Sequence, residues 1–374
     1  MAKIFDSVLA NIDAGRQGLN QGLDIGLPRT MDYVPNLQRG QIYLIAGEPG
    51  SGKSSFAYNN FLYTPYDDWI RNYKTTIKFH AFVFSMEMDK EIVLTKAVCR
   101  KIFIDHRWLV DVNFILSRGR NRVNQEVYDK VLQTREFFED FEDHVTILGN
   151  DNPTGIHKTI HRYFMLHGQD TYKDIEIISK ETGEKQIIKS YDKYVPNDPT
   201  TIMYTIGIAD HVALTKGERS FNKKQTIDKL VEYEIEDRDR YGMSWIDVQQ
   251  LNRNNASADR MKLDKLEPQL NDMKETGDTV DAANFVLALF CPNRYELKTH
   301  RGYNIDIERG GLGDRYKCLK VLKNRDGNAN MAVGLSFLGE IGKFSELPRA
   351  KDMTEPIYTQ INSLTKISNN LRIV

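Results

Sequence analysis

Apolar positions recur along the chain in two rhythms. From Gln41 the run QIYLIA is unbroken enough for a strand covered on both faces. It gives way to a glycine-rich loop and then to FAYNNFLY, whose spacing is helical. HAFVFS at His80–Ser85 is the next strand, followed by the helical MDKEIVLTKAVCRKIF. A charged helical stretch over Asn124–Glu142 leads to a strand at Val145–Leu148, and Ile202–Asp210, Trp245–Gln249 and Phe285–Phe290 supply three more. Strands alternating with helices predict an α/β fold built on a twisted, mainly parallel sheet flanked by helices. There is no repeat of fixed period.

Two segments fall outside this alternation. Ile4, Phe5, Val8, Leu9 and Ile12 share one face of a helix that precedes every core strand. That helix either packs on its own domain or is an arm for a neighbouring subunit. An irregular connector follows, with Gly15, Gly18, Gly22, Gly26, Pro28 and Pro35. Asp174–Tyr194 reads as a β-hairpin with Gly183 in its turn, an insertion at about 170–200. The expected organisation is a linker helix and connector over 1–36, one large domain over 37–347, and a tail over 348–374. In that tail Ile357, Ile361 and Leu364 predict a docking helix, while Asn369 and Asn370 predict fraying.

Composition narrows the function classes. The chain has 374 residues, 40% hydrophobic and 28% charged, enough for a sizeable core and against global disorder. Lys plus Arg number 51 against 52 Asp plus Glu, a net charge of −1. That excludes holding polyanions by bulk positive charge, and leaves room only for a local basic groove. Cys99, Cys291 and Cys318 lie far apart with no CxxC spacing, which argues against a disulfide framework or structural zinc and for a reducing compartment. The N-terminal MAKIFDSVLANIDAGRQ lacks the apolar stretch of a signal peptide, and the most apolar segment, Phe285–Cys291, is under half a membrane span. A cytoplasmic protein without a membrane partner is expected.

The strongest chemical signal is GEPGSGKSS, where Gly47, Gly52, Lys53 and Ser54 complete G-x-x-x-x-G-K-[ST]. Gly47, Glu48, Pro49, Gly50, Ser51, Gly52, Lys53, Ser54 and Ser55 are the expected ATP-binding residues. The glycines let backbone N–H groups turn inward around phosphate oxygens. Lys53 would place a compact cation on the β and γ phosphates, and the Ser54 hydroxyl would be a Mg2+ ligand. The loop follows a strand and opens a helix, which is the arrangement the chemistry needs. Two acids end strands: Asp210 closes IMYTIGIAD and would reach the metal, and Glu87 follows HAFVFS and would accept the proton of the attacking water.

These residues resemble a family. FSMEM at Phe84–Met88 looks like the FSLEM signature of DnaB-type replicative DNA helicases, within the RecA-like P-loop NTPases. GLDIGLPRTMDYVPNLQRGQIYLIAGEPGSGKSS resembles that family's entry into its ATPase domain. IGIADHVAL resembles its Walker B strand, VQQLNR its SQLNR motif, DMKETGDTVDAANFVLAL the DLRESGSIEQDADVIMFL-like segment, and LKNRDG the GKQRNG motif. The order is the family's, over about 19–347, interrupted by the hairpin insertion. The resemblance implies roles. Glu87 would polarise water, Asp210 would be the Walker B acid, and Gln250 would be the sensor linking the γ-phosphate to DNA-binding loops. Lys323 and Arg325 would reach the γ-phosphate of a neighbouring subunit, which implies a ring, a hexamer in this family. Arg253, Arg260, Lys262 and Lys274 would face the channel and track single-stranded DNA. A primase, a loader or other replisome proteins are the implied partners.

The chain also departs from the family. With so few residues before the loop, the family's N-terminal helical domain is expected to be missing, and the spacing from Lys53 to Asp210 is long because of the insertion. His211 stands where the family tends to have Tyr, and reads as a core-edge residue. A helicase so reduced suits a phage-encoded protein. The alternative class is a RecA-type DNA-binding ATPase or recombinase, acting as a filament or scaffold without unwinding; a regulatory nucleotide binder without turnover is disfavoured by Lys53, Glu87 and Arg325.

Overall fold

The computed structural model describes residues 4–120, 122–178, 185–251 and 266–371. In chain order its elements begin with helix α1 (Ile4–Arg16), strand β1 (Ile42–Gly47), and helices α2 (Lys53–Tyr58) and α3 (Thr64–Asp68), joined by a π-helical turn at Asn59–Tyr63. Then come β2 (Ile77–Ser85), α4 (Lys90–His106), α5 (Val112–Ile115), α6 (Gln125–Gln133), α7 (Arg135–His144), β3 (Val145–Leu148) and α8 (Pro153–His167). The ribbon strands β4 (Gly168–Ile178) and β5 (Lys185–Pro196) precede β6 (Ile202–Asp210), α9 (Lys223–Tyr241), β7 (Ser244–Gln250) and β8 (Phe285–Phe290). A two-residue pair, β9 (Thr299–His300) and β10 (Tyr303–Asn304), leads to β11 (Tyr316–Asn324), β12 (Ala332–Leu338), β13 (Lys343–Glu346) and a last helix, Glu355–Leu371.

Nine strands form one sheet in the order β13-β12-β11-β8-β1-β7-β6-β2-β3. The six from β8 to β3 are parallel, and β11, β12 and β13 extend the β8 edge antiparallel. Burial on both faces explains the unbroken apolar runs. Along β1, Tyr43 and Ile45 join the core beneath α2 and α4, while Ile42, Leu44 and Ala46 join the one beneath α8 and α9.

Several expectations are refined. Asn124–Glu142 is two helices, because Thr134 turns its hydroxyl back onto the Val131 carbonyl at 2.7 Å and ends α6. The strands after Phe290 are not evident from the sequence, since Lys and Gly residues interrupt their apolar pattern. The Glu355–Leu371 helix docks through Tyr358 and Ile361 on one cluster and Leu364 on another. Gly183 lies outside the described residues, but the ribbon around it pairs antiparallel from Gly168↔Pro196 to Ile178↔Lys185. Its base is tied down where Tyr194 donates to the Phe164 carbonyl at 3.0 Å and Arg240 donates to Asp170. The apolar stripe of α1 is not covered by the described residues of the chain: Ile4 is 86% exposed, Phe5 66% and Ile12 54%.

A buried carboxyl pair lies under the sheet, with Glu234 on α9 facing Asp247 on β7. As carboxylates, neither finds a donor for its inner oxygens, and a proton shared between them supplies one. Burial pushes both upward, Asp247 to about 7. A folded-state pKa above the unfolded value of about 3.9 gives stability that is complete in acid and lost as pH rises toward 7. Asp247→Asn is therefore expected to flatten the loss of melting temperature between about pH 4 and pH 7, read by thermal unfolding across a pH series. A slope unchanged from wild type would refute the shared-proton arrangement.

Candidate nucleotide site

The glycine-rich loop leaves the carboxyl end of β1 and enters α2, so it lies where open α/β sheets hold their ligands. Gly52 has φ 93°, a conformation other residues rarely adopt, and a Cβ there would meet the Phe344 ring at 2.9 Å. Behind the loop, the Tyr295 hydroxyl donates to Glu48 and the Arg294 guanidinium to the Pro49 carbonyl. These contacts fix the cradle from the segment after β8.

A cleft of about 270 Å³ opens in front of it, lined by Pro49, Gly50, Gly52, Lys53, Ser54 and Ser55 from the loop and α2. Glu87, Met88, Lys96, His211, Val248 and Gln250 close the other side. Of the nine loop residues named from the sequence, Gly47, Glu48 and Ser51 do not line the cleft: Gly47 ends a buried strand, Glu48 is engaged by Tyr295, and Ser51 is fully buried. Lys53 is buried and donates to the Glu48 carbonyl at 2.9 Å. Burial lowers its pKa, opposed by the charges of Asp210 and Glu87.

Asp210 is wholly buried behind the cleft, accepting from the Ser54 hydroxyl at 2.8 Å on one oxygen and from Tyr58 at 2.8 Å on the other. Burial raises its pKa against those two hydrogen bonds. A hydroxyl and a carboxylate oxygen facing each other at this distance are the hard-oxygen donor set that Mg2+ takes, with waters completing its shell. The donor chemistry fits a divalent ion. Glu87 is exposed at the mouth, on a turn closed where Ser85 Oγ donates to the Met88 carbonyl at 2.6 Å and the Met86 amide donates to the Asp210 carbonyl at 2.8 Å.

Lys323 and Arg325 are elsewhere. Lys323 lies opposite Val286 on β8, and Gly47 opposite Leu289. Three residues along the sheet and two strand spacings across separate the two by about 14 Å, with the loop farther still. Lys323 Nζ donates to the Val280 carbonyl at 2.7 Å, and Arg325 to the Asp281 carbonyl at 2.8 Å, with Arg325 exposed. Arg253, Arg260 and Lys262 lie outside the described residues, as does the side chain of Lys274.

The structure adds two residues that the sequence does not single out, and revises a third. Tyr58 holds Asp210 from α2. Lys96, on α4, brings a second amine into the cleft, its Nζ 3.2 Å from Met88 Sδ and its pKa lowered by burial. Only the position of Lys96 on the helix that follows Glu87 hints at this, and helical spacing alone does not say which face meets the loop. His211, at the buried edge of the core where β6 ends, also lines the cleft, beside Gln250.

No protein-family model matches the sequence, and no curated protein is significantly similar to it. Solved structures are similar. The ATPase domain of G40P superimposes with a TM-score of 0.63 at 15% identity, over 93% of this chain and 100% of that one. A DnaB-like replicative helicase, described with its interactions with primase, gives 0.62 at 15% identity, over 93% of this chain and 68% of that one. The fold of this chain is therefore that of the RecA-like ATPase domain of DnaB-type replicative helicases.

Proposed function

We propose that the chain is an ATP-driven replicative DNA helicase, working as a hexameric ring that moves along one DNA strand and excludes the other. The observation that carries this reading is the separation of Lys323 and Arg325 from their own cleft, which is lined by Lys53, Glu87 and Gln250 and, among the described residues, by no arginine, Arg294 beside the loop being engaged on the Pro49 carbonyl. A head-to-tail assembly would bring a neighbour's pair to that open face. The uncovered apolar stripe of α1 agrees, since a second copy of the chain would cover it.

In this mechanism the loop amides and Lys53 hold the β and γ phosphates, and Glu87 accepts the proton of the water attacking the γ-phosphorus as ADP leaves. Bound Mg2+, which Ser54 and Asp210 would hold, would offset the phosphate charge. Gln250 ends β7 at the cleft, and the chain that carries Arg253, Arg260 and Lys262 departs directly from it. A change at the γ-phosphate would thus pass to cations that contact the DNA backbone without sequence preference. No helix among the described residues is long and apolar enough to cross a membrane.

The test is unwinding of a forked DNA with ATP, coupled to mass measurement with and without nucleotide, on wild type and on Leu9→Asp. Strand displacement by a closed oligomer, and smaller species with Leu9→Asp, are expected. ATP hydrolysis with filaments and no displaced strand would favour the recombinase-like alternative.

A further inference from the structure

His211 follows Asp210 at the end of β6 and is 7% exposed, yet its ring borders the phosphate cleft beside Lys53 and Glu87. Its Nε2 is 3.5 Å from the amide nitrogen of Gln250. With the Gln250 amide nitrogen as donor, Nε2 accepts and the imidazole proton is assigned to Nδ1. That Nδ1–H is buried and has no partner in the protein. Buried donors are almost always satisfied, because an unmade hydrogen bond there is costly. The ring is thus committed on one side to Gln250 and uncommitted on the other, next to a cleft shaped for an anion.

We propose that His211 is a positioning residue that couples nucleotide state to Gln250. The Nδ1–H is reserved for an oxygen that arrives with ATP, either a phosphate oxygen or a water ordered by it. When that acceptor is present the ring turns toward it, and the Gln250 amide, which shares the same imidazole, shifts with it. When phosphate leaves, the ring relaxes to the arrangement seen here. Two neighbouring parallel strands, β6 and β7, are paired from Ile206↔Ser244 to Asp210↔Val248, which brings His211 and Gln250 together just past the end of the paired segment. The inference rests on the helicase reading of Gln250 and adds a residue on the Walker B side of the relay.

The experiment compares wild type, His211→Leu and His211→Gln. Leucine fills the volume without hydrogen bonding; glutamine restores both an acceptor and a donor. The readouts are the ratio of DNA-stimulated to unstimulated ATP hydrolysis, and the ratio of single-stranded DNA affinities with ATPγS and with ADP. The first is taken relative to each variant's own unstimulated rate, with folding checked by melting temperature. His211→Leu is expected to lower both ratios about tenfold, the scale of one lost buried hydrogen bond, and His211→Gln to recover most of each. Leucine matching wild type would overturn the proposal, and so would leucine and glutamine losing the ratios alike, since shape and not hydrogen bonding would then be at work. A wild-type chain that hydrolyses ATP without responding to DNA would instead sink the helicase reading, and this inference with it.

Discussion

Glu87→Gln is expected to lower ATP turnover by about 10²–10⁴-fold, with ATP affinity changed little. The substitution keeps the volume of the side chain and removes its negative charge, and with it the capacity to take a proton. Its setting argues that nothing else would change. Glu87 is exposed on a turn whose shape is set by the Ser85–Met88 and Met86–Asp210 hydrogen bonds, none of which involves its carboxylate. Lys53 and Lys96, the cations that share the cleft with it, remain to hold the phosphates. Phosphate release measured with and without single-stranded DNA, beside binding of a fluorescent ATP analogue, reads the two effects separately. Hydrolysis that stays within a few-fold of wild type would move the general base elsewhere; lost nucleotide binding would make Glu87 a structural residue of the cleft.

Arg325→Ala is expected to lower hydrolysis by about 10³-fold or more, and to be rescued by a partner that is itself inactive. If Arg325 completes the site of a neighbour, Lys53→Ala subunits lack a phosphate-binding lysine but still offer an intact Arg325. Arg325→Ala subunits have the reverse pattern. A ring assembled from equal amounts of the two would have about a quarter of its interfaces fully equipped, so the mixture would hydrolyse ATP faster than the sum of its parts. Were Arg325 to act within its own chain, mixing would restore nothing. The geometry favours the first outcome: the guanidinium is exposed, leans on the Asp281 carbonyl, and lies at the far ends of the strands from the loop.

Much of this chain is legible in its amino-acid sequence. The loop from Gly47 to Ser55 is read directly because phosphate binding depends on consecutive backbone amides, and consecutive residues are what a sequence displays. The core strands are legible because a strand buried on both faces must be apolar throughout, and Phe285–Phe290 and Ile202–Asp210 agree with the sequence pattern to the residue. Less can be read where a residue's role depends on distant neighbours. β11, and β12 and β13 beyond it, are ambiguous in sequence; in β11 Lys317, Lys320 and Lys323 break the apolar pattern, although Lys317 is buried. For α1, exposure of its apolar stripe among the described residues bears against packing on its own domain, something its sequence does not decide.

Local chemistry is written in the chain itself: a phosphate cradle between strand and helix, acids at strand ends, and a mainly parallel sheet. Who meets whom is a matter of tertiary packing. Packing sets strand order, and with it the distance between Arg325 and the cleft; it turns Lys96 inward from α4; it places His211 against Gln250 across two strands. The physical reason is that backbone conformation and hydrophobic periodicity are short-range properties, encoded within a few residues. The juxtaposition of side chains far apart in the chain comes only from the packing of whole elements, where many small contact energies act together.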